Sequence, residues 1–295
     1  MSDRAKIYIG TSGWSYPNGE GTWKGYFYPS GKINELEYYS RYFNAVEINS
    51  SFYRPPNPGY VYNWVKRVPA DFLFTVKLWQ KFTHPKMYEE STGRNSAISQ
   101  EDVDIFKSSI EPLARSDKLG ALLAQFPPSF KNDDDGRQIL GAIINTFGEY
   151  KLAVELRHRS WSDDKNTARL LSENHISWVS IDEPQFSSSV AVDIPLTSDT
   201  AYFRFHGRNK ENWWNGNTET RYKYLYSNQE LNELSGKIEA AAGKTKLVFA
   251  FFNNHWQAYA PKNAISIKRT LQLSFPELPM MKEFILPDVN EQEQL

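Results

Sequence analysis

Side chains two positions apart on a β-strand point the same way, and three pairs in this sequence put chemistry on one face: Glu47 with Asn49, Glu155 with Arg157, and Arg204 with His206. Each pair closes an apolar run, and the residue between its members (Ile48, Leu156, Phe205) is apolar and points to the opposite face. Four further runs end in a single polar group, Lys77, Gln125, Asp182 or Asn253, and Ser12 follows the first run. Three acids (Glu47, Glu155, Asp182) thereby meet three bases (Lys77, Arg157, Arg204), a set that can pair internally where lone buried charges would be intolerable. Such a set suits acid–base chemistry on a small polar or anionic ligand. Glu47 and Glu155 are the candidate proton carriers, His206 a shuttle near neutral pH, and Asp182 the group that orients a base. Lys77, Arg157 and Arg204 would hold negative charge on the ligand or transition state. The competing reading is a network that only plugs the top of the fold and fixes its register.

Other chemistries draw on the same residues. His84, His158, His206 and His255 follow run ends, and Glu47, Glu155, Asp182, His206 and His255 offer nitrogen and oxygen ligands for a divalent metal, although no HxH or HExxH spacing occurs. A glycosidase would place paired carboxylates beside tryptophans, but the fourth and seventh runs, where barrel glycosidases carry their acids, hold Gln125 and Arg204. Lys77 as an imine-forming nucleophile needs a depressed pKa, and nearby carboxylates are expected to keep it charged. A non-enzymatic alternative is nucleic-acid or nucleotide binding, with Trp14, Trp161, Trp213 and Trp214 stacking bases and Lys24, Arg54, Arg157, Arg208 and Lys210 meeting phosphates. A formal net charge of -1 weighs against it. GTSG at 10–13 follows a strand without opening a helix, so neither NAD nor a nucleoside triphosphate is expected as a cofactor.

The elements that must position these groups alternate along the chain. Eight short apolar runs have strand character: 7–10, 45–49, 72–78, 119–126, 152–157, 177–182, 201–207 and 247–254. Ser227 and Glu230 have capping-box spacing ahead of a helix that Gly243 can stop, Ser99 caps a second, and Pro261 fits the first turn of a third. Weaker helical periods lie near 34–43, 58–67, 136–147 and 163–173, while 183–200 has none and reads as an irregular connection between the sixth and seventh strands. Strands alternating with helices predict an α/β fold with a parallel sheet, and eight strands predict a (β/α)8 barrel with its polar site at the C-terminal strand ends. One domain is expected, with a core of about residues 6–275 and a tail at 276–295. Three long aromatic loops, after the first, third and seventh runs, are expected to build the mouth of that site.

With 40% hydrophobic and 23% charged residues and a mean hydropathy of -0.60, the composition is that of a folded soluble chain. No run approaches a membrane span and the N-terminus lacks a signal-peptide layout, so a cytoplasmic protein without a membrane partner is expected. The absence of cysteine excludes disulfides, thiolate nucleophiles and sulfur-ligated metal sites.

Several segments together resemble the YecE-like family, also called domain of unknown function 72. They are GTSGWSY (Gly10 to Tyr16), VEINSSFYRPP (Val46 to Pro56), QFPPSF (Gln125 to Phe130), AVELRHRSW (Ala153 to Trp161), DEP (Asp182 to Pro184), FRFHGR (Phe203 to Arg208) and FFNNHWQAYAPKNA (Phe251 to Ala264). They run in order over nearly the whole chain. The resemblance implies a TIM-barrel fold and supplies no reaction. Motif and strand-end positions together give the expected ligand-binding set: Ser12, Trp14, Asn49, Tyr53, Lys77, Gln125, Arg157, Trp161, Arg204, Arg208, Asn253 and Asn254.

Overall fold

In a computed structural model, residues 5–216 and 218–276 are described. The expected tail therefore lies, beyond Pro276, outside the described residues. The strands are β1 (Lys6–Thr11), β2 (Ala45–Ile48), β3 (Leu73–Lys77), β4 (Leu119–Gln125), β5 (Leu152–Glu155), β6 (Ser177–Trp178), β7 (Ser180–Asp182), β8 (Thr200–Phe205) and β9 (Leu247–Phe252). They form two parallel sheets, a five-stranded one in the order β2-β3-β4-β5-β6 and a four-stranded one in the order β1-β9-β8-β7. The architecture is mixed α/β.

The sixth predicted strand is two short ones. Val179 interrupts it: its N–H reaches Val154 O at 3.0 Å, whereas Ser180 pairs with Phe203 of β8, so the chain changes sheets at this residue. At the other junction Ser12 bridges Glu47, and Gly13 N donates to Glu47 O at 2.8 Å. Close approach there requires glycine at position 10, because a Cβ would stand 2.0 Å from Ala45 O.

Helices fill the connections as the sequence periods predict. They are α1 (Glu35–Tyr39), α2 (Pro58–Val65), α3 (Gln80–Thr83), α4 (Pro85–Thr92), α5 (Gln100–Arg115), α6 (Asp134–Phe147), α7 (Arg159–Ser162), α8 (Lys165–Glu173), α9 (Thr218–Arg221), α10 (Asn228–Ala242) and α11 (Tyr259–Thr270). Ser99 and Ser227 form capping boxes with Asp102 and Glu230. Pro261 falls in the first turn of α11. The loop predicted after β3 holds two short helices, α3 and α4, because Pro85 starts a new helix at its first position. No helix spans 183–199.

Alternation along the strands sorts the buried apolar residues into two clusters. One face carries Ala45, Ala121, Leu123, Ala153, Val179, Tyr202, Phe249 and Phe251. The opposite face, including Val46, Ile48, Leu122, Val154 and Phe205, packs in a larger cluster with helix residues such as Phe106, Ile144 and Leu234. Strands covered on both sides read as nearly continuous apolar runs, which is why a charge within them is informative.

Candidate functional site

Above the first cluster, following its parity, come Glu47, Glu155 and Arg204, which are buried. Their pairing is tight. Arg204 grips Glu47 with two bonds, Nη2 to Oε1 at 2.7 Å and Nε to Oε2 at 3.0 Å, and its Nη1 reaches Glu155 Oε2 at 2.6 Å. Arg157 Nε donates to the other Glu155 oxygen at 2.6 Å, and its Nη1 lies 3.2 Å from Glu183 Oε2. Tyr202 donates to Glu47 Oε2 at 2.7 Å. Burial alone would raise the Glu155 pKa, but the Arg157 and Arg204 guanidiniums override it and hold this carboxyl well below its usual range. Burial raises that of Glu183, which Arg157 only partly offsets.

A cavity of about 580 Å³ opens over this network. Its polar lining comes from Lys77, Gln125, Arg157, Arg204, His206, Asn49, Asn253 and His255, and its aromatic walls from Trp14, Tyr16, Phe52, Tyr53 and Tyr222, with Gly13, Ser15 and Ser50 completing it. Among the described residues no carboxylate lines it. The acids lie beneath the guanidiniums, so the polar part of the lining presents cations and neutral hydrogen-bonding groups.

This placement revises several sequence expectations. Glu47 and Glu155, expected to carry protons, are sealed below the cavity with both oxygens of each engaged by arginine. Asp182, expected to orient a base, lies outside the lining. It accepts Arg208 Nη2 at 2.7 Å and Tyr226 OH at 2.8 Å, and Arg208 continues to Glu230 at 3.1 Å. The third acid of the buried network is instead Glu183, the next residue along. Strand alternation could not have selected it, because it breaks at the sheet change: Val179 lies in the inner cluster, whereas Ile181, two residues on, lies in the outer one.

His206 is fully buried, and burial with Arg157 nearby lowers its pKa to about 3. Arg157 Nη2 donates to Nε2 at 3.1 Å, so Nδ1 carries the proton. The Asn253 amide 3.0 Å from Nδ1 must turn its oxygen there, since amide O and N exchange by a flip. A ring engaged at both nitrogens orients Arg157 and is a poor proton shuttle. His255 stacks on Tyr16 with ring centroids 4.7 Å apart and packs tilted against Tyr222 at 5.4 Å, and burial lowers its pKa to about 4. His84 packs edge-on to Phe52 with its Nε2 at 3.5 Å from Gln125, and His158 caps α7. Among the described residues no three His, Asp or Glu side chains cluster as a metal set.

Of the remaining expected ligand contacts, Ser12 is buried beside the cavity with its Oγ unpartnered among the described residues. Asn254 is structural, donating to Tyr224 O at 2.7 Å and Asn263 Oδ1 at 2.8 Å. Trp161 packs on Phe130 at 5.3 Å and donates to Phe130 O. Trp213 is also buried, so among the four tryptophans proposed to stack bases only Trp214 is exposed. Sequence reasoning missed Glu183 and the walls formed by Tyr16, Phe52 and Tyr222, which lie off the strands.

Lys77 is the unexpected group. It ends β3 half-buried in the cavity wall, its Nζ 3.9 Å from the Phe52 ring centre, and among the described residues its amine makes no hydrogen bond or ion pair. Burial and the Arg204 charge lower its pKa to about 7 against the smaller pull of Glu155 and Glu47. The sequence argument gave the carboxylates too much weight, because the arginines already neutralise them.

Loops from opposite ends of the chain close the rim. Trp23 Nε1 donates to His255 O at 2.7 Å, Tyr16 stacks on Trp23 at 4.7 Å, and Gln257 N donates to Gly21 O at 3.2 Å. Gln257 and Ala258 hold positive φ (42° and 62°), a strained turn for residues with a Cβ.

The sequence and the fold are similar to those of known proteins. The sequence matches the family described as Protein of unknown function DUF72 over residues 8–285. It is 31% identical over 286 residues to UPF0759 protein YunF of Bacillus subtilis (strain 168), covering 92% of this chain and 97% of YunF. UPF0759 protein YecE of Escherichia coli (strain K12) is 30% identical over 158 residues, 52% of this chain and 48% of YecE. A crystal structure of a DUF72 family protein from Thermotoga maritima MSB8 superposes with a TM-score of 0.78 at 36% identity, covering 90% of this chain and 99% of that one. Another from Enterococcus faecalis V583 gives 0.79 at 29%, covering 92% and 99%. The chain belongs to the DUF72 family.

Proposed function

We propose that this protein is an enzyme that binds a small anion in the cavity over Arg157 and Arg204 and moves a proton with Lys77. The carrying observation is the lining itself: among the described residues it has three cationic side chains, no carboxylate, and one amine without a hydrogen bond or ion pair. Each guanidinium has five N–H groups, and the partners described above use at most three, which leaves at least two on each for a ligand. Fixed donors already paid for by the fold act strongly on charge in a water-poor site. The same reading takes the two sheets as one closed eight-stranded barrel, supported by the Ser12–Glu47 bridge and by the sheet change at Val179. The cavity then lies at the C-terminal strand ends, where barrel enzymes keep their sites.

The test is equilibrium binding of malonate, oxalate and inorganic phosphate across pH. Protonated Lys77 attracts an anion and neutral Lys77 does not, so affinity should fall as pH rises past about 7. Lys77→Gln should bind at least about tenfold more weakly at pH 6 and lose that slope. If none of the three anions binds, or if the variant binds as the parent does, the reading fails.

A further inference from the structure

We propose that Lys77 captures a small anionic carbonyl compound, of the 2-oxo acid class, as a covalent imine. The proposal rests on the reading of the cavity as an anion site and adds the chemistry of the captured group. It starts from a contrast among lysines held away from water. Lys81 pairs with Asp102 at 2.8 Å, Lys118 donates to Ala70 O at 3.1 Å, and Lys268 donates to Tyr42 O at 2.6 Å. Those three are structural, because their protons satisfy neighbouring acceptors. Among the described residues the Lys77 amine has no such bond to surrender, and it stands in the wall of the polar cavity described above.

A nucleophilic amine must be neutral, and the surroundings favour that form. With a pKa of about 7, roughly half of Lys77 is neutral at pH 7, against about one in a few thousand for an ordinary lysine. The step then balances without a redox partner. The nitrogen lone pair forms an N–C bond, the carbonyl π pair moves to oxygen, and one proton passes from nitrogen to that oxygen to give a carbinolamine. Uptake of a second proton from solvent lets the hydroxyl leave as water while the nitrogen forms the C=N bond, giving a protonated imine.

The wall suits each stage. Asn49 Oδ1, buried and without a partner among the described residues, offers an acceptor for the carbinolamine hydroxyl. The Phe52 face at 3.9 Å stabilises an ammonium and an iminium alike. Arg157 and Arg204 hold the carboxylate of the captured molecule, which selects a charged carbonyl compound over a neutral one.

Reductive trapping tests this directly. The full chain is incubated at pH 7 with glyoxylate and cyanoborohydride, which delivers hydride to an imine carbon, and the modified lysines are located by peptide mass mapping. Lys77 should react at least tenfold faster than any other lysine, malonate should slow it, and acetaldehyde should show no such preference. Lys77→Arg, checked for an unchanged melting transition, should leave only the slow background. Labelling spread over the lysines with Lys77 no faster than the rest overturns the proposal. If malonate still binds in a Lys77-dependent way, that result removes imine capture and leaves the anion site standing. If malonate does not bind either, the reading beneath it fails as well.

Discussion

Two arginine–carboxylate clusters stand side by side in this molecule, built from the same parts and put to different uses. In the inner one Arg204 and Arg157 lie among Glu47, Glu155 and Glu183, with almost no contact with water. In the outer one Arg208 joins Asp182 at the end of β7 to Glu230 at the start of α10, with about a third of its side chain exposed. Tyr224 adds a bond to Glu230 at 2.6 Å, so that residue both caps α10 and ties it to the strand. The outer cluster is a latch between elements. The inner one has carboxylates below and a cavity above, so its excess hydrogen-bonding capacity faces an open volume. Burial distinguishes a fastening from a site more clearly than residue type does.

The sharpest way to break this comparison is Arg204→Met. It strands two buried carboxylates against each other and should cost about 3–5 kcal/mol in chemical denaturation. A loss smaller than that from disrupting the latch would overturn the ranking. Asp182→Asn keeps the shape of the latch but removes the charge facing Arg208, and roughly 1–2 kcal/mol is expected because solvent screens the pair. Malonate binding should be unchanged in this variant; weakened binding would mean that the two clusters are coupled. Tyr226→Phe deletes a hydroxyl that donates to Asp182 and accepts from Gly207 N at 2.8 Å, and should cost about 1–2 kcal/mol by thermal unfolding.

How far the sequence could be read depended on whether strand alternation applied. It placed Glu47, Asn49, Lys77, Gln125, Arg157, Arg204, His206 and Asn253 on one face, and the structure brings them together at or beneath one cavity. It went astray at the sixth strand, where the change of sheet at Val179 breaks the alternation, so that Glu183 and not Asp182 joins the buried network. Electrostatics was less legible. The charge of Lys77 depends on which carboxylates remain unclaimed, and that follows from three-dimensional pairing, not from their number. Trp161 and Asn254 belong to recognisable motifs, yet both serve packing and backbone hydrogen bonds, so motif membership did not separate ligand contacts from supports. The loop aromatics Tyr16 and Tyr222 follow no strand or helix period, and only the folded rim puts them together.

The pairing of the first strand with the last has a consequence for synthesis. Lys6 finds its sheet neighbour only when Leu247 has been made. At ordinary rates of translation, about 5–20 residues per second, the first strand must wait roughly ten to fifty seconds for that partner. During that interval the nascent chain presents an open β-edge to its surroundings, so its solubility in the cell depends on what shields those few residues before the ribosome lets the C-terminal segment go.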